Sequence, residues 1–131
     1  MRLLLDTHIL LWALTGDSAL PRGAASLLAD PAVEVSASAV NIWEIAIKFG
    51  LNRGSDGDMP ISSDIAIRLT REATYDILPI EAEHAAGVEL LPLIHGDPFD
   101  RLLIAQSRHE EMRLLTHDGR LARYGADILL V

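Results

Sequence analysis

The sequence predicts an α/β fold: an open parallel sheet with helices on both of its faces. Two observations carry this expectation. Short apolar runs alternate with longer helix-compatible stretches over most of the chain, the pattern of strands joined by helical crossovers. The runs are also mostly apolar throughout, as expected where helices cover both faces of a sheet. With 131 residues, half of them hydrophobic, and no repeat or dividing linker, the whole span 1–131 is expected to form a single domain.

Arg2 to Leu5 is an apolar run ending at Asp6 and reads as a buried strand. His8 to Thr15 is helix-compatible and stops at Gly16; Pro21 and Arg22 open a second helix, closed at Asp30-Pro31. Val33 to Ser36 is a second strand, and Ser38 is an N-cap for a helix running to Phe49, with Gly50 as its stop. Asn52 to Pro60, with two glycines and several small polar residues, is a surface loop. Ser62, Ser63 and Asp64 start a helix through about Ala73, followed by a short strand at Asp76 to Pro79 and a helix at Glu81 to Leu91. Asp97 caps a helix that begins at Pro98, where proline suits the first turn, and reaches about Glu111. Arg113 to Thr116 is a strand, Asp118 to Tyr124 a short helix and Ile128 to Val131 a final strand.

The bulk numbers exclude several functions. No cysteine is present, so thiolate metal sites and cysteine nucleophiles are ruled out, and no disulfide is possible. No run approaches the roughly 18 apolar residues of a membrane span, and the N-terminus meets a charge at Asp6, too early for a signal peptide. The expectation is a soluble, unprocessed, cytoplasmic protein. A net charge of −8 argues against a protein that grips nucleic acid by bulk positive charge. It leaves room for a site where a divalent cation reverses the local sign.

Ligands of open parallel sheets bind beyond the carboxyl ends of the strands. Asp6 directly follows the first strand, and Asp118 follows the Arg113–Thr116 strand. Two more acids lie on helices. Glu44 belongs with Asn41 and Lys48 to the only polar stripe of an otherwise apolar helix, and Asp100 lies in the first turn after Pro98. Each has an ordinary alternative: a strand-end turn for Asp6, a pairing with Lys48 for Glu44, a favourable helix-dipole position for Asp100, a turn or cap for Asp118. Together they suggest a different role. Clustered carboxylates resist ionisation unless a cation is present, and hard oxygen donors suit Mg²⁺ or, in its place, Mn²⁺.

Four segments make this pattern specific. They are Leu-Leu-Asp6-Thr-His, Ser-Ala-Val-Asn-Ile-Trp-Glu44-Ile-Ala-Ile-Lys, His95-Gly-Asp-Pro-Phe-Asp100-Arg-Leu-Leu-Ile-Ala-Gln and Leu-Leu-Thr-His-Asp118-Gly-Arg-Leu-Ala-Arg-Tyr-Gly. In this order the chain resembles the PIN-domain ribonucleases, in particular the VapC-type toxins of bacterial toxin–antitoxin pairs. The resemblance covers the chain from end to end. It implies a three-layer α/β/α domain and a metal-dependent endoribonuclease whose catalytic and metal-binding residues are Asp6, Glu44, Asp100 and Asp118. It further implies an RNA substrate, inhibition by a VapB-like antitoxin, and a homodimer. Thr116 stands where a small hydroxyl residue often accompanies the last acid, and Asn41 where a small polar residue is common; both are supporting candidates.

Arg101, Arg108, Arg113, Arg120 and Arg123 concentrate in the last third. They read either as a phosphate-contacting rim or as ordinary solvated helix faces, with Arg101 and Lys48 the substrate-binding candidates. The histidines show no i,i+4 pair of the zinc-helix type. Trp12 and Trp43 are expected to pack in the core, and part of the apolar segment Ile9 to Leu14 offers a partner surface. Two competing functions remain in view. A phosphotransfer domain on a similar sheet would need a second acid near Asp6, and position 8 is His. A catalytically silent binding module would have no use for the intact acid set.

Overall fold

The computed structural model describes every residue from Met1 to Val131. The elements run β1 (Arg2–Leu5), α1 (Thr7–Thr15), α2 (Arg22–Ala29), β2 (Glu34–Ser38), α3 (Ala39–Gly50), α4 (Ser63–Glu72), β3 (Asp76–Leu78), α5 (Ala82–Gly87), α6 (Pro98–His109), β4 (Arg113–Thr116) and β5 (Ile128–Leu130), with 3-10 turns at Val88–Leu90 and Gly119–Tyr124. The five strands form one sheet in the order β3-β2-β1-β4-β5. Every neighbouring pair is parallel, with Leu4 opposite Ser36 on one side and Leu114 on the other.

Successive side chains of a strand point to opposite faces, and the core divides accordingly. Leu3 and Leu5 pack with Ile9, Leu10, Ala24, Ala37 and Leu115 beneath α1 and α2. Leu4 and Leu114 pack with Leu103, Ile104 and other residues beneath α6. The result is the three-layer α/β/α arrangement. Each fully buried leucine of these layers contributes about 1.5–3 kcal/mol relative to exposure, which is why the strands need no polar face. A smaller cluster of Leu11, Ile45 and Ala66 joins α1, α3 and α4. No helix is long and apolar enough to cross a membrane.

Local signals place the helix ends. The Asp6 carboxylate accepts N–H groups of His8 and Ile9 and so starts α1, which Gly16 closes with a left-handed φ of 65°. Ser38 Oγ accepts the N–H of Val40, while Asn41 Oδ1 accepts that of Ser38, a reciprocal cap.

Three expectations needed correction. β2 extends to Ser38 because its last residues pair with β3, Ala37 opposite Ile77 and Ser38 opposite Leu78. The expected helix at Glu81 to Leu91 is a short helix with a 3-10 extension, and Arg101 ties down its end and the residues after it: Nη1 donates to Pro92 O at 2.8 Å and Nη2 to Val88 O at 3.4 Å. Trp43 is 47% exposed and lies edge-on to Phe99 with ring centroids 4.8 Å apart. The buried side of α3 is instead Val40, Asn41, Glu44 and Ile45, so Asn41 and Glu44 of the polar stripe face inward and Lys48 reaches the surface.

Candidate metal centre

The connection after β1 leads toward β2, and the connection after β4 leads the other way, toward β5. Adjacent strands that diverge like this leave a crevice beyond their carboxyl ends. Asp6 and Asp118 border one cavity there, of about 260 Å³. Glu44 and Lys48 border a neighbouring cavity of about 420 Å³ together with Thr7 and His8.

Hydroxyls orient two of the acids. Thr116 Oγ donates to Asp6 Oδ2 at 2.6 Å and accepts the Asp118 N–H at 3.0 Å, so one buried threonine links both strand-end acids. Thr7 Oγ donates to Glu44 Oε1 at 2.6 Å. Asn41 Nδ2 in turn donates to Thr7 Oγ at 3.0 Å and to Leu5 O at 3.1 Å. Asp6 and Glu44 are each only 5% exposed, and Asn41 and Thr116 are fully buried. Buried groups of this kind need satisfied partners, and the chain Asn41–Thr7–Glu44 supplies them.

Burial and mutual charge both act on these acids. Burial raises Asp100, and the charges of Asp97, Asp6 and Glu44 add to the rise against a hydrogen bond from His95, taking it to about 6. Burial also raises Asp6 against the Thr116 hydroxyl. Two cations relieve the remainder. Lys48 Nζ lies 2.5 Å from Glu44 Oε2. Burial opposes its charge, yet Glu44, Asp97 and Asp100 hold Lys48 above its ordinary value. Arg120 grips Asp118, with Nη2 2.7 Å from Oδ2, and that hydrogen bond holds Asp118 below the usual carboxylate range. Lys48 is the only lysine in the chain.

Of the four sequence-predicted acids, Asp6 and Asp118 thus border one cavity and Glu44 its neighbour, Asp100 is linked to Asp6 and Glu44 through its charge, and the Asp118 carboxylate is paired to Arg120. Asp97 caps α6 through N–H bonds from Phe99 and Asp100, as expected, and also adds its charge to the cluster. The donors are carboxylate and hydroxyl oxygens, a set that fits a hard divalent cation.

The chain matches the PIN domain family over residues 3–127. It belongs to the PIN domain family. No match was found among curated proteins. Several solved structures share the fold. VapBC2 from Rickettsia felis, bound to a DNA fragment from its promoter, aligns with a TM-score of 0.70 and 15% identity over 100% of this chain and 98% of that one. A toxin–antitoxin complex from Klebsiella pneumoniae gives 0.63 and 18% over 96% and 94%. FitAcB from Neisseria gonorrhoeae gives 0.63 and 14% over 97% and 96%.

Sequence reasoning gave no role to Thr7 or His95 at this PIN domain's rim. Thr7 follows Asp6 directly, and its role depends on α3 bringing Glu44 alongside. His95 Nε2 lies 3.2 Å from Asp100 Oδ2, while its Nδ1 lies 2.7 Å from Tyr124 Oη. Arg101 Nη1 donates to the same Tyr124 oxygen at 3.1 Å, so Arg101 reaches Asp100 through Tyr124 and His95. Arg108 is bound to Asp127 and to the Tyr124 carbonyl. The loop after α3 is ordered by Asp58, whose carboxylate accepts N–H bonds from Arg53, Gly54 and Ser55. Through Asp56, Gly57 and Asp58 that loop walls the cavity beside Glu44.

The one group of three acidic or histidine ligand atoms close enough together to share an ion lies away from this rim. Ligand atoms of Glu81, His84 and His109 fall within 4.8 Å of one another. No sequence spacing reveals them, because His84 and His109 come from different helices. His84 Nδ1 accepts the Glu81 N–H at 3.0 Å, which places the ring proton on Nε2. In that tautomer Nε2 has no lone pair for a metal, and it has no hydrogen-bond partner either.

Proposed function

We propose that this chain is a divalent-metal-dependent endoribonuclease, the toxin of a VapBC-type pair, held inactive by a VapB-like antitoxin. The observation that carries the reading is the gathering of carboxylates at the β1–β4 crevice, where the buried Thr116 hydroxyl links Asp6 to Asp118 and Glu44 borders the neighbouring cavity. Such crowding is costly in the empty site and becomes favourable around a cation. PIN domains are generally metal-dependent nucleases, and the fold-sharing structures from Rickettsia felis and Klebsiella pneumoniae are toxin–antitoxin complexes. A homodimer and a cytoplasmic setting complete the reading.

Asp6, Glu44, Asp100 and Asp118 hold the cation, Mg²⁺ or Mn²⁺ in its place. When bound it supplies electrophilic assistance at the phosphoryl group and a lower pKa for the attacking water. Thr116 and Thr7 fix the carboxylates of Asp6 and Glu44, and Asn41 fixes Thr7. Lys48, beside Glu44 at the rim, offers a positive charge to a substrate phosphate. Arg101 acts at a distance, steadying His95 against Asp100 through Tyr124.

Purified protein freed of any antitoxin is expected to cut a mixed-structure RNA internally when given Mg²⁺ or Mn²⁺, and to stop when a chelator is added. Intact RNA with both metals would overturn the proposal.

A further inference from the structure

We propose that His8, Trp12 and His117 form a stacking subsite for one unstacked nucleobase of the RNA, beside the phosphate held at the carboxylate rim. The inference rests on the ribonuclease reading and adds to it how the substrate is gripped.

His8 and Trp12 lie four residues apart on α1, one turn along the same face, and α1 starts at Asp6 itself. Their ring centroids are 5.8 Å apart, with planes inclined by 36°. His117 comes from the turn after β4 and sets its ring edge-on to Trp12, centroids 5.9 Å apart. Its Nδ1 lies 2.5 Å from the Val131 carbonyl oxygen, which fixes the ring's direction. Together with Asp6 and Asp118 these three rings line a cavity of about 260 Å³.

Core packing accounts for only part of Trp12. It lies against the cluster of Leu3, Leu5 and Ile9 but is only partly buried, while His8 and His117 are exposed. The indole thus packs partly on the core and also lines the cavity that Asp6 and Asp118 border. The chemistry of the occupant follows from charge. With a net charge of −8, the protein has little bulk positive charge with which to hold an RNA strand by its backbone. Stacking on aromatic rings needs no positive charge and tolerates any base, since every base has a π-face. A base entering this cavity must leave its own stack, so single-stranded or looped RNA is the form that fits.

The test uses RNA pairs that differ by one abasic nucleotide, placed at each position flanking a mapped cleavage site. For the wild type, one flanking position is expected to raise KM by about tenfold when abasic, with kcat little changed. The double variant His8→Ala, His117→Ala, whose replaced side chains are exposed, should raise KM on intact RNA and lose most of that abasic penalty, because both changes remove the same contact. Trp12→Leu should lose it too, while Trp12→Phe, which keeps a ring, should retain it. If the wild type cuts every abasic RNA as well as the intact one, the subsite is wrong although the nuclease stands. An abasic penalty undiminished in the double variant and in Trp12→Leu would also overturn it. A wild type that cuts no RNA removes both proposals.

Discussion

Asp6→Asn is expected to lower RNA cleavage by at least about a hundredfold while leaving the metal-free fold as stable as the wild type, or more so. The two effects separate because Asp6 has two jobs. One oxygen caps α1 by accepting the N–H groups of His8 and Ile9, and the oxygen of an asparagine does this equally well. The other accepts the Thr116 hydroxyl, and that hydroxyl can turn to accept from an amide. What asparagine removes is the negative charge. Burial already works against that charge, raising the carboxyl above its ordinary value, so its loss relieves the metal-free protein. The measurement is single-turnover cleavage alongside thermal melts in chelator. Asp6→Ala, by contrast, also loses the cap, at about 0.5–2 kcal/mol. An Asp6→Asn protein that cuts at the wild-type rate would contradict the assignment.

The second large effect is a pH dependence that metal reverses. Asp100 has a folded value of about 6, against an unfolded value near 3.9. A carboxyl raised in this way contributes its full stability below about pH 3.9, where both states hold the proton. That contribution fades as pH climbs to about 6 and is gone above it. In chelator, Asp100→Asn should therefore gain on the wild type as pH rises from about 4 to 6.5, by on the order of 1–2 kcal/mol after allowance for solvent screening. Asp6 is raised too and works in the same direction in both proteins. Asp58 and Asp118 are lowered and lose stability toward acid, but they are common to both and cancel in the difference. Saturating Mn²⁺ at pH 7.5 should reverse the order, since a ligand at about 100 times its Kd adds about 2.7 kcal/mol to the state that binds it. Parallel pH profiles for the two proteins, with or without metal, would contradict the crowding argument.

The architecture was readable because its signals are local and redundant. Leu3, Leu4 and Leu5 can be apolar in succession only where both faces of a strand are covered, and Gly16 and Pro98 through their backbones, and Ser38 through its hydroxyl, mark helix ends. Boundaries slipped where tertiary pairing decides them, as at Ser38, which β3 draws into the sheet. The four acids could be named because Asp6 and Asp118 sit just past strands, Glu44 lies on a short polar stripe, and Asp100 lies in the first turn after Pro98 within a segment that resembles the family. Their partners could not. Thr7 serves Glu44 across 37 positions and Thr116 serves Asp6 across 110, and no local pattern records such pairings. Trp43 was misjudged for the converse reason: periodicity shows that α3 has an apolar side, but it does not say that the buried Asn41 and Glu44 displace the indole outward.

The most direct measurement is a calorimetric titration with Mn²⁺ of the wild type, Asp6→Asn, Asp100→Asn and His109→Ala. Saturable binding to the wild type and to His109→Ala, lost in the two rim variants, is the predicted result. Binding that survives in Asp6→Asn and Asp100→Asn but disappears in His109→Ala would contradict it, placing the ion between α5 and α6 and leaving the carboxylate rim without its cation.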